Sequence, residues 1–159
     1  MKKTGIKVSI IIVNYKAELE LLNCVFSIIN SKPKVKYEII IVDNDEDSNI
    51  GFELKRKFPQ IKYIKNKKNI GYGAGNNLGA KFASGEHLFF LNPDTKVLPG
   101  ALDNLCNFCI KNENVGIVSP AFFDNDLKPF KSQGSKELTP KNILFSQSIL
   151  KKIFPDKNI

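Results

Sequence analysis

The chain has 159 residues, which is enough for one domain with a hydrophobic core and too few for two domains of ordinary size. Hydrophobic residues make up 42% and charged residues 25%, which excludes a disordered or fibrous protein and is typical of a globular one. The net charge of +8 favours an anionic partner (a phosphorylated small molecule, nucleic acid or an anionic membrane surface) or serves solubility alone. No run of five or six like charges occurs, which argues against a nucleic-acid-binding tail.

The cysteines indicate a reducing compartment, because their number is odd: Cys24, Cys106 and Cys109. Cys106 and Cys109 have C-x-x-C spacing, but they lie in an apolar pattern with helical spacing, and His87 is the only histidine. We therefore expect two helix residues that partly face the core, with a redox or metal site as the alternative. The apolar run over residues 8–13 is too short for a signal peptide or a membrane span, so we expect a cytoplasmic protein.

Strand-like and helix-like segments alternate along the chain. Continuous β-branched runs predict strands buried on both faces, and apolar residues at helical spacing predict the helices between them. The predicted strands cover residues 7–14, 37–43, 60–65, 86–91 and 115–119. The predicted helices cover residues 18–29, 47–58, 74–83 and 99–111. This alternation predicts an α/β fold, with an open, mostly parallel, twisted sheet and helices on both faces.

The pattern changes after the fifth predicted strand. Residues 122–133 predict a hairpin-like pair of short strands, and residues 141–154 are apolar and basic at helical spacing. We therefore divide the chain into a main domain, residues 1–133, and a C-terminal extension, residues 134–159. The helix of the extension is expected to pack on the domain or on further sequence. A membrane surface or a second copy of the chain is the alternative.

Polar segments follow four of the predicted strands, at residues 14–16, 43–45, 69–77 and 92–94. In open parallel sheets, ligands bind at the carboxyl ends of the strands, near the point where strand order reverses. Each segment alone is explained equally well by a turn or a helix cap. Four together predict a binding site at this edge of the sheet.

The residue types in these segments suit a phosphorylated ligand and a cation. The carboxylate of Asp43 can accept hydrogen bonds from a base or a ribose. The glycines of residues 71–75 begin a predicted helix, where backbone N–H groups favour a diphosphate. They form no Walker A motif, and Asn76 stands where a dinucleotide motif has its third glycine. Asp94 can hold Mg²⁺ or Mn²⁺ when phosphates supply the other oxygen ligands.

Four stretches, taken together and in order, resemble the family 2 glycosyltransferases, and within them the rhamnosyltransferase-like bacterial group. They are residues 8–15 (VSIIIVNY), 37–44 (YEIIIVDN), 69–79 (NIGYGAGNNLG) and 91–95 (LNPDT). Residues 115–120 look like the next strand of that family. The resemblance covers about residues 7–133, which is most of the chain.

The resemblance implies a GT-A fold, a Rossmann-like nucleotide-binding half, and inverting transfer of a sugar from a dTDP- or UDP-linked donor to a saccharide or lipid-linked acceptor. It implies a divalent cation, Mg²⁺ or Mn²⁺, on Asp94, since Asn92-Pro93-Asp94 takes the place of the family's D-x-D. Asn92 is a weaker metal ligand than aspartate and suits sugar or ribose hydroxyls. The implied nucleotide and donor contacts are Asn14, Tyr15, Asp43, Asn69, Gly71, Asn76 and Asn92.

The resemblance also implies a later segment with an acidic catalytic base. The only carboxylates of the extension, Glu137 and Asp156, lie in no matching motif, so the base is assigned to no residue. Two functions stay open: a glycosyltransferase of polysaccharide or glycolipid assembly, cytoplasmic or peripheral at the inner face of the membrane, and a non-catalytic nucleotide-sugar-binding fragment or half of a split enzyme. A nucleic-acid-binding protein is disfavoured, because no recognition motif accompanies the basic charge.

Overall fold

The computed structural model describes residues 7–124 and 126–129. Strands and helices alternate within this part of the chain, as the sequence predicts. The strands are β1 (Val8–Asn14), β2 (Tyr37–Asp43), β3 (Lys62–Lys65) and β4 (His87–Leu91). The helices are α1 (Glu18–Asn30), α2 (Ile50–Lys57), α3 (Tyr72–Lys81) and α4 (Ala101–Lys111).

The four strands form one parallel sheet in the order β3-β2-β1-β4. Val8 of β1 pairs with Tyr37 of β2 on one side and with His87 of β4 on the other. The chain therefore moves outward from β1 to β3 and then crosses back to place β4 beside β1. This reversal of strand order is the point where open α/β sheets bind ligands.

The core lies around β1, whose seven residues are all buried. The last five residues of β2 are buried too, so the continuous apolar runs correspond to strands covered on both faces. Helix α1 packs Leu21, Val25 and Ile28 into this core, each with no exposed surface. Burying a side chain of this size stabilises the fold by about 1.5–3 kcal/mol, so α1 is firmly fixed to the sheet.

Helix α3 approaches the sheet closely through two glycines. A Cβ atom on Gly75 would lie 2.9 Å from a methyl carbon of Val13, and one on Gly79 would lie 2.6 Å from a methyl carbon of Ile11. Gly71 precedes the first residue of α3, and its φ of +84° would be strained in any residue that has a side chain. These glycines place the start of α3 against the carboxyl ends of β1 and β2.

The predicted fifth strand, residues 115–119, is wrong. These residues form irregular structure with a bend at Gly116, and Ile117 is 93% exposed. Their β-branched Val and Ile residues suit a pleated surface, but a strand persists only when a neighbour pairs with it. Among the described residues, no strand pairs with this segment.

The chain divides into two compact units, residues 1–118 and residues 119–159. In the described part of the second unit, Phe123 and Pro129 form an isolated antiparallel bridge within the predicted hairpin. The remainder of that hairpin and the predicted helix 141–154 lie outside the described residues. The predicted domain boundary at residue 133 stays a prediction. No described helix combines the length and apolar character needed to cross a bilayer.

Candidate functional site

The predicted site segments meet at one edge of the sheet. Asn14 and Asp43 are the last residues of β1 and β2 and are register partners. Lys65 ends β3 opposite Asp43. Asn92 follows Leu91, which pairs with Ile12 near the end of β1. Strand ends that are far apart in the sequence are therefore neighbours in the fold.

Asp43 has no exposed surface and is surrounded by hydrogen-bond donors. Its Oδ1 accepts from Asn14 Nδ2 at 2.9 Å and from the backbone N–H of Asp45 at 3.1 Å. Its Oδ2 accepts from the Tyr63 hydroxyl at 2.5 Å and from Lys65 Nζ at 3.3 Å. A carboxylate has about four acceptor positions, so donors of the protein itself satisfy this one.

These donors keep Asp43 ionised in spite of its burial. Burial by itself raises the pKa of Asp43, but the hydrogen bonds from Tyr63, Asn14, Asp45 and Lys65 outweigh it and hold that pKa below its ordinary value. Burial and the adjacent Asp43 carboxylate both raise the pKa of Tyr63. At neutral pH, Tyr63 is therefore a neutral donor to a charged acceptor.

The same cluster joins the loops that follow β2 and β3 to the start of α3. Lys65 Nζ donates to the carbonyl of Ser48 at 2.7 Å and also to that of Asp45. Asn44 Nδ2 donates to the carbonyl of Gly71 at 3.2 Å, and Asn66 Nδ2 donates to Asn44 Oδ1 at 2.7 Å. This side of the sheet edge is thus a closed polar network.

Sequence reasoning missed Tyr63, Lys65 and Asn66. Their partners lie about 20 residues earlier in the chain, beyond the reach of any local motif. One signal was available, because alternation along a strand places residues 63 and 65 on the same face of β3. The parallel register then puts that face beside the end of β2.

Two amide oxygens at this edge, Asn14 Oδ1 and Asn76 Oδ1, are buried without a hydrogen-bond partner in the described part of the chain. The orientation of the Asn14 amide is fixed, because only its nitrogen can donate to the Asp43 carboxylate. Unpaired buried acceptors are rare in native proteins and call for an explanation, of which a functional role is one. Both residues belong to the predicted donor site.

Asn69 and Tyr15 occupy the rim of the edge. Asn69 Oδ1 accepts from the backbone N–H of Gly71 at 2.8 Å, so this side chain shapes the entry to α3. Tyr15 is about half exposed, and the Lys16 ammonium lies 5.4 Å from the centre of its ring. An exposed aromatic ring beside a cation suits a planar, anionic ligand.

The loop after β4, residues 92–97, presents an exposed carboxylate. Asn92 and Asp94 are both exposed. Thr95 folds the chain back, since its Oγ1 and its backbone N–H donate to the carbonyl of Asn92 at 2.6 and 3.2 Å. Within the described residues, no hydrogen bond or ion pair engages the Asp94 carboxylate.

Helix α1 holds this loop from behind. Cys24 Sγ donates to the carbonyl of Asn92 at 3.7 Å, and the backbone N–H of Val97 donates to Ser27 Oγ at 2.9 Å. The pKa of the Cys24 thiol is raised to about 11, mainly by burial. The hydrogen bond with Thr95 lowers this pKa, and the negative charge of Asp94 raises it. The thiol is therefore neutral and inert, which suits a donor and excludes a nucleophile.

A divalent cation fits this loop only if a bound phosphorylated molecule supplies most of the oxygen atoms that coordinate it. No three His, Cys, Asp or Glu side chains of the described residues are grouped as a metal site. A single exposed carboxylate matches Mg²⁺ or Mn²⁺ that arrives with a diphosphate, and does not match a cage built from protein alone. A groove of about 580 Å³ runs between α1 and this loop, and Asp94 lies on its rim.

The parallel sheet, its strand order and its crossover helices define a GT-A-type α/β domain. The structure is similar to that of Staphylococcus aureus TarS, residues 1–349, with a TM-score of 0.59 and 22% identity over 76% of this chain and 40% of that one. It is also similar to the complex of the same protein with UDP-GlcNAc, with a TM-score of 0.60 and 23% identity over 68% of this chain and 32% of that one. The predicted fold class is confirmed.

The family model described as "Glycosyl transferase family 2" matches residues 9–156, and the chain belongs to this family. The minor teichoic acid biosynthesis protein GgaB of Bacillus subtilis is 33% identical over 121 residues, which are 72% of this chain and 13% of that protein. The GalNAc(5)-diNAcBac-PP-undecaprenol beta-1,3-glucosyltransferase of Campylobacter jejuni is 30% identical over 152 residues, which are 93% of this chain and 47% of that enzyme. The chain thus spans less than half of either relative.

Proposed function

We propose that the chain is an inverting glycosyltransferase, which transfers a sugar from a nucleoside diphosphate sugar to a saccharide or lipid-linked acceptor, and that the described residues form its donor-binding part. The observation that carries this proposal is the exposed carboxylate of Asp94, held in a fixed loop beside the ends of β1 and β4. Related proteins support the ligand classes. TarS has been crystallised with UDP and UDP-GlcNAc, and the Campylobacter enzyme is named for an undecaprenol-linked acceptor.

Asp94 is the proposed cation ligand, and Asn92 the neighbour that binds hydroxyl groups. When bound, Mg²⁺ or Mn²⁺ supplies charge neutralisation for the departing diphosphate. The N–H groups at the start of α3 favour the phosphates. The other residues proposed for the nucleotide site are Asn14, Tyr15, Asn69, Gly71 and Asn76, which contact the nucleotide, and Asp43, whose part is indirect.

Asp43 has an indirect part in this site. Its four internal hydrogen bonds leave no acceptor position for a base, so a direct contact requires the exchange of one of them. We propose that Asp43 shapes the base pocket through the side chains that it holds. UDP and dTDP are the proposed nucleotides.

A nucleotide-sugar-binding fragment, or half of a split enzyme, is the second candidate. The observation in its favour is that the matched segment spans only 13% and 47% of the two relatives described above. No residue of the chain is assigned as catalytic base. Turnover of a UDP-sugar by the chain alone distinguishes the candidates, because a donor-binding part without a base binds the donor and releases it unchanged.

The finer assignments are proposals as well. We place the chain nearest to the rhamnosyltransferase-like group, on its Asn92-Pro93-Asp94 sequence. Residues 1–133 form the proposed donor-binding domain, and residues 134–159 the proposed extension. The basic extension suits a peripheral position at the inner face of the membrane, or contact with a second copy of the chain.

Calorimetry with UDP and dTDP, with and without Mn²⁺, tests the site. We expect Mn²⁺ to raise affinity for at least one nucleotide by about tenfold, which is about 1.4 kcal/mol. Asp94→Asn removes the charge at nearly constant shape and should abolish that increase. Glu113→Gln makes the same change at an exposed position after α4 and should preserve it. Failure of both nucleotides to bind, or an unchanged Mn²⁺ effect in Asp94→Asn, contradicts the assignment.

A further inference from the structure

Two small polar side chains of α1 connect that helix to the acidic loop. Cys24 and Ser27 are one turn apart and both buried. Ser27 Oγ donates to the carbonyl of Cys24 at 2.7 Å, which directs its lone pairs to the backbone N–H of Val97 at 2.9 Å. Cys24 Sγ reaches the other end of the loop, at the carbonyl of Asn92. The helix therefore holds the loop at both of its ends.

Thr95 closes the loop on itself at the same place. Three donors meet at the carbonyl of Asn92: Thr95 Oγ1, the Thr95 backbone N–H and Cys24 Sγ. The Cys24 sulfur also lies 3.9 Å from Thr95 Oγ1. Asp94 lies between the fixed residues 92 and 95, so its backbone is held while its carboxylate stays exposed.

From this geometry we propose that Cys24, Ser27 and Thr95 are positioning residues, which fix the backbone that carries the Asp94 carboxylate and thereby set the cation-dependent part of nucleotide binding. The inference rests on the function proposed for Asp94. None of the three side chains has to touch the ligand. Ordering one residue of a free loop costs about 1–2 kcal/mol of backbone entropy, and a loop ordered in advance avoids that cost on binding.

Ser31 offers a matched control for Ser27. Ser27 lies in the last turn of α1 and Ser31 is its C-cap residue. Both are 8% exposed, and both donate to the carbonyl three residues earlier at 2.7 Å. Only Ser27 also accepts the hydrogen bond from the N–H of Val97. Comparing Ser27→Ala with Ser31→Ala therefore isolates the contact with the loop from the general effect of removing a buried hydroxyl.

The measurement is the ratio of the UDP dissociation constants without and with Mn²⁺, taken by calorimetry on the whole chain. We expect Ser27→Ala and Thr95→Val to lower this ratio about three- to tenfold and to leave metal-free UDP affinity unchanged. Ser31→Ala should keep the wild-type ratio. Cys24→Ala should lower the ratio less than Ser27→Ala does, because a thiol is a weak donor. Cys106→Ala, which removes a buried thiol of α4, should not change the ratio.

Hydrogen exchange of the amides of residues 92–97 completes the test. Ser27→Ala should speed exchange at Val97, and Ser31→Ala should not. Faster exchange with an unchanged Mn²⁺ ratio would show a merely structural contact and overturn the proposal, as would an equal loss of the ratio in both serine variants. If wild-type protein binds no nucleotide, the proposed function fails first, and that outcome is visible before any variant is compared.

Discussion

Two aspartates at the same edge of the sheet have opposite environments. Asp43, at the end of β2, has no exposed surface and receives four hydrogen bonds from its own chain. Asp94, in the loop after β4, is exposed, and the contacts that fix its loop go to backbone atoms of neighbouring residues. The first carboxylate serves stability and the second is available to a ligand, so residue type and strand position do not by themselves define a role.

Asp43→Ala should cause the largest loss of stability. It leaves Asn14 Nδ2, Tyr63 Oη and the N–H of Asp45 without their acceptor, and Lys65 without its counter-ion. We expect the free energy of unfolding in urea to fall by about 3–5 kcal/mol. Asp94→Ala should change it by no more than about 0.5 kcal/mol. Similar losses in the two variants would erase the contrast between the two aspartates.

Gly75→Ala should have the next largest effect, on the Asp43 side of the edge. The added methyl group would lie 2.9 Å from Val13 and 3.4 Å from the Asn44 amide, so α3 must move away from β1. We expect a loss of about 1–3 kcal/mol, measured by thermal and urea unfolding. Gly73→Ala is the control, because nothing lies within 4 Å of its Cβ position. A gain in helix propensity should stabilise that variant by up to about 1 kcal/mol, and an equal loss at both glycines would argue against close packing.

Tyr63→Phe should have the smallest effect and the one most dependent on pH. It removes one donor to Asp43 and so raises the pKa of that carboxyl group towards its unfolded value of 3.8. A carboxyl group whose pKa is lower in the folded state stabilises the fold at pH values above its unfolded pKa. This contribution is lost as the pH falls through the folded pKa. We expect a loss of about 1 kcal/mol at pH 7 that shrinks below pH 3.8. Tyr37→Phe should show no such pH dependence. A Tyr63→Phe effect that stays constant into acid would mean that the hydroxyl does not act on the Asp43 charge.

The sequence predicts the fold well wherever the signal is local. The apolar runs of β1 and β2 and the helical stripe of α1 identify elements whose buried faces are present in each segment by itself. The failure at residues 115–119 has a physical cause, because a strand also needs a partner and pairing is not encoded in the segment. The glycines of residues 71–75 were expected to let a diphosphate approach the backbone closely. At Gly75, it is the side chain of Val13 that approaches the backbone.

The candidate site is predicted only in outline. The rule that ligands bind at the carboxyl ends of parallel strands is enough to bring Asn14, Asp43 and Asn92 to one edge. It gives no information on how each side chain is held, since Tyr63 reaches Asp43 across 20 residues and Cys24 reaches Asn92 across 68. Such contacts depend on register and helix placement, which follow from the packing of the whole domain.

The strand order also bears on the sequence in which the two halves of the edge can form as the chain folds. Strands β1, β2 and β3 all lie before residue 66, so the cluster around Asp43 can close before β4 docks on β1. β4 then joins the opposite side of β1 and closes a longer loop, at a greater entropic cost. The Asp94 loop, which follows β4, is thus added after strands that can already pair. A substitution that slows the docking of β4 would delay formation of the Asp94 loop during refolding while the earlier strands are already in place.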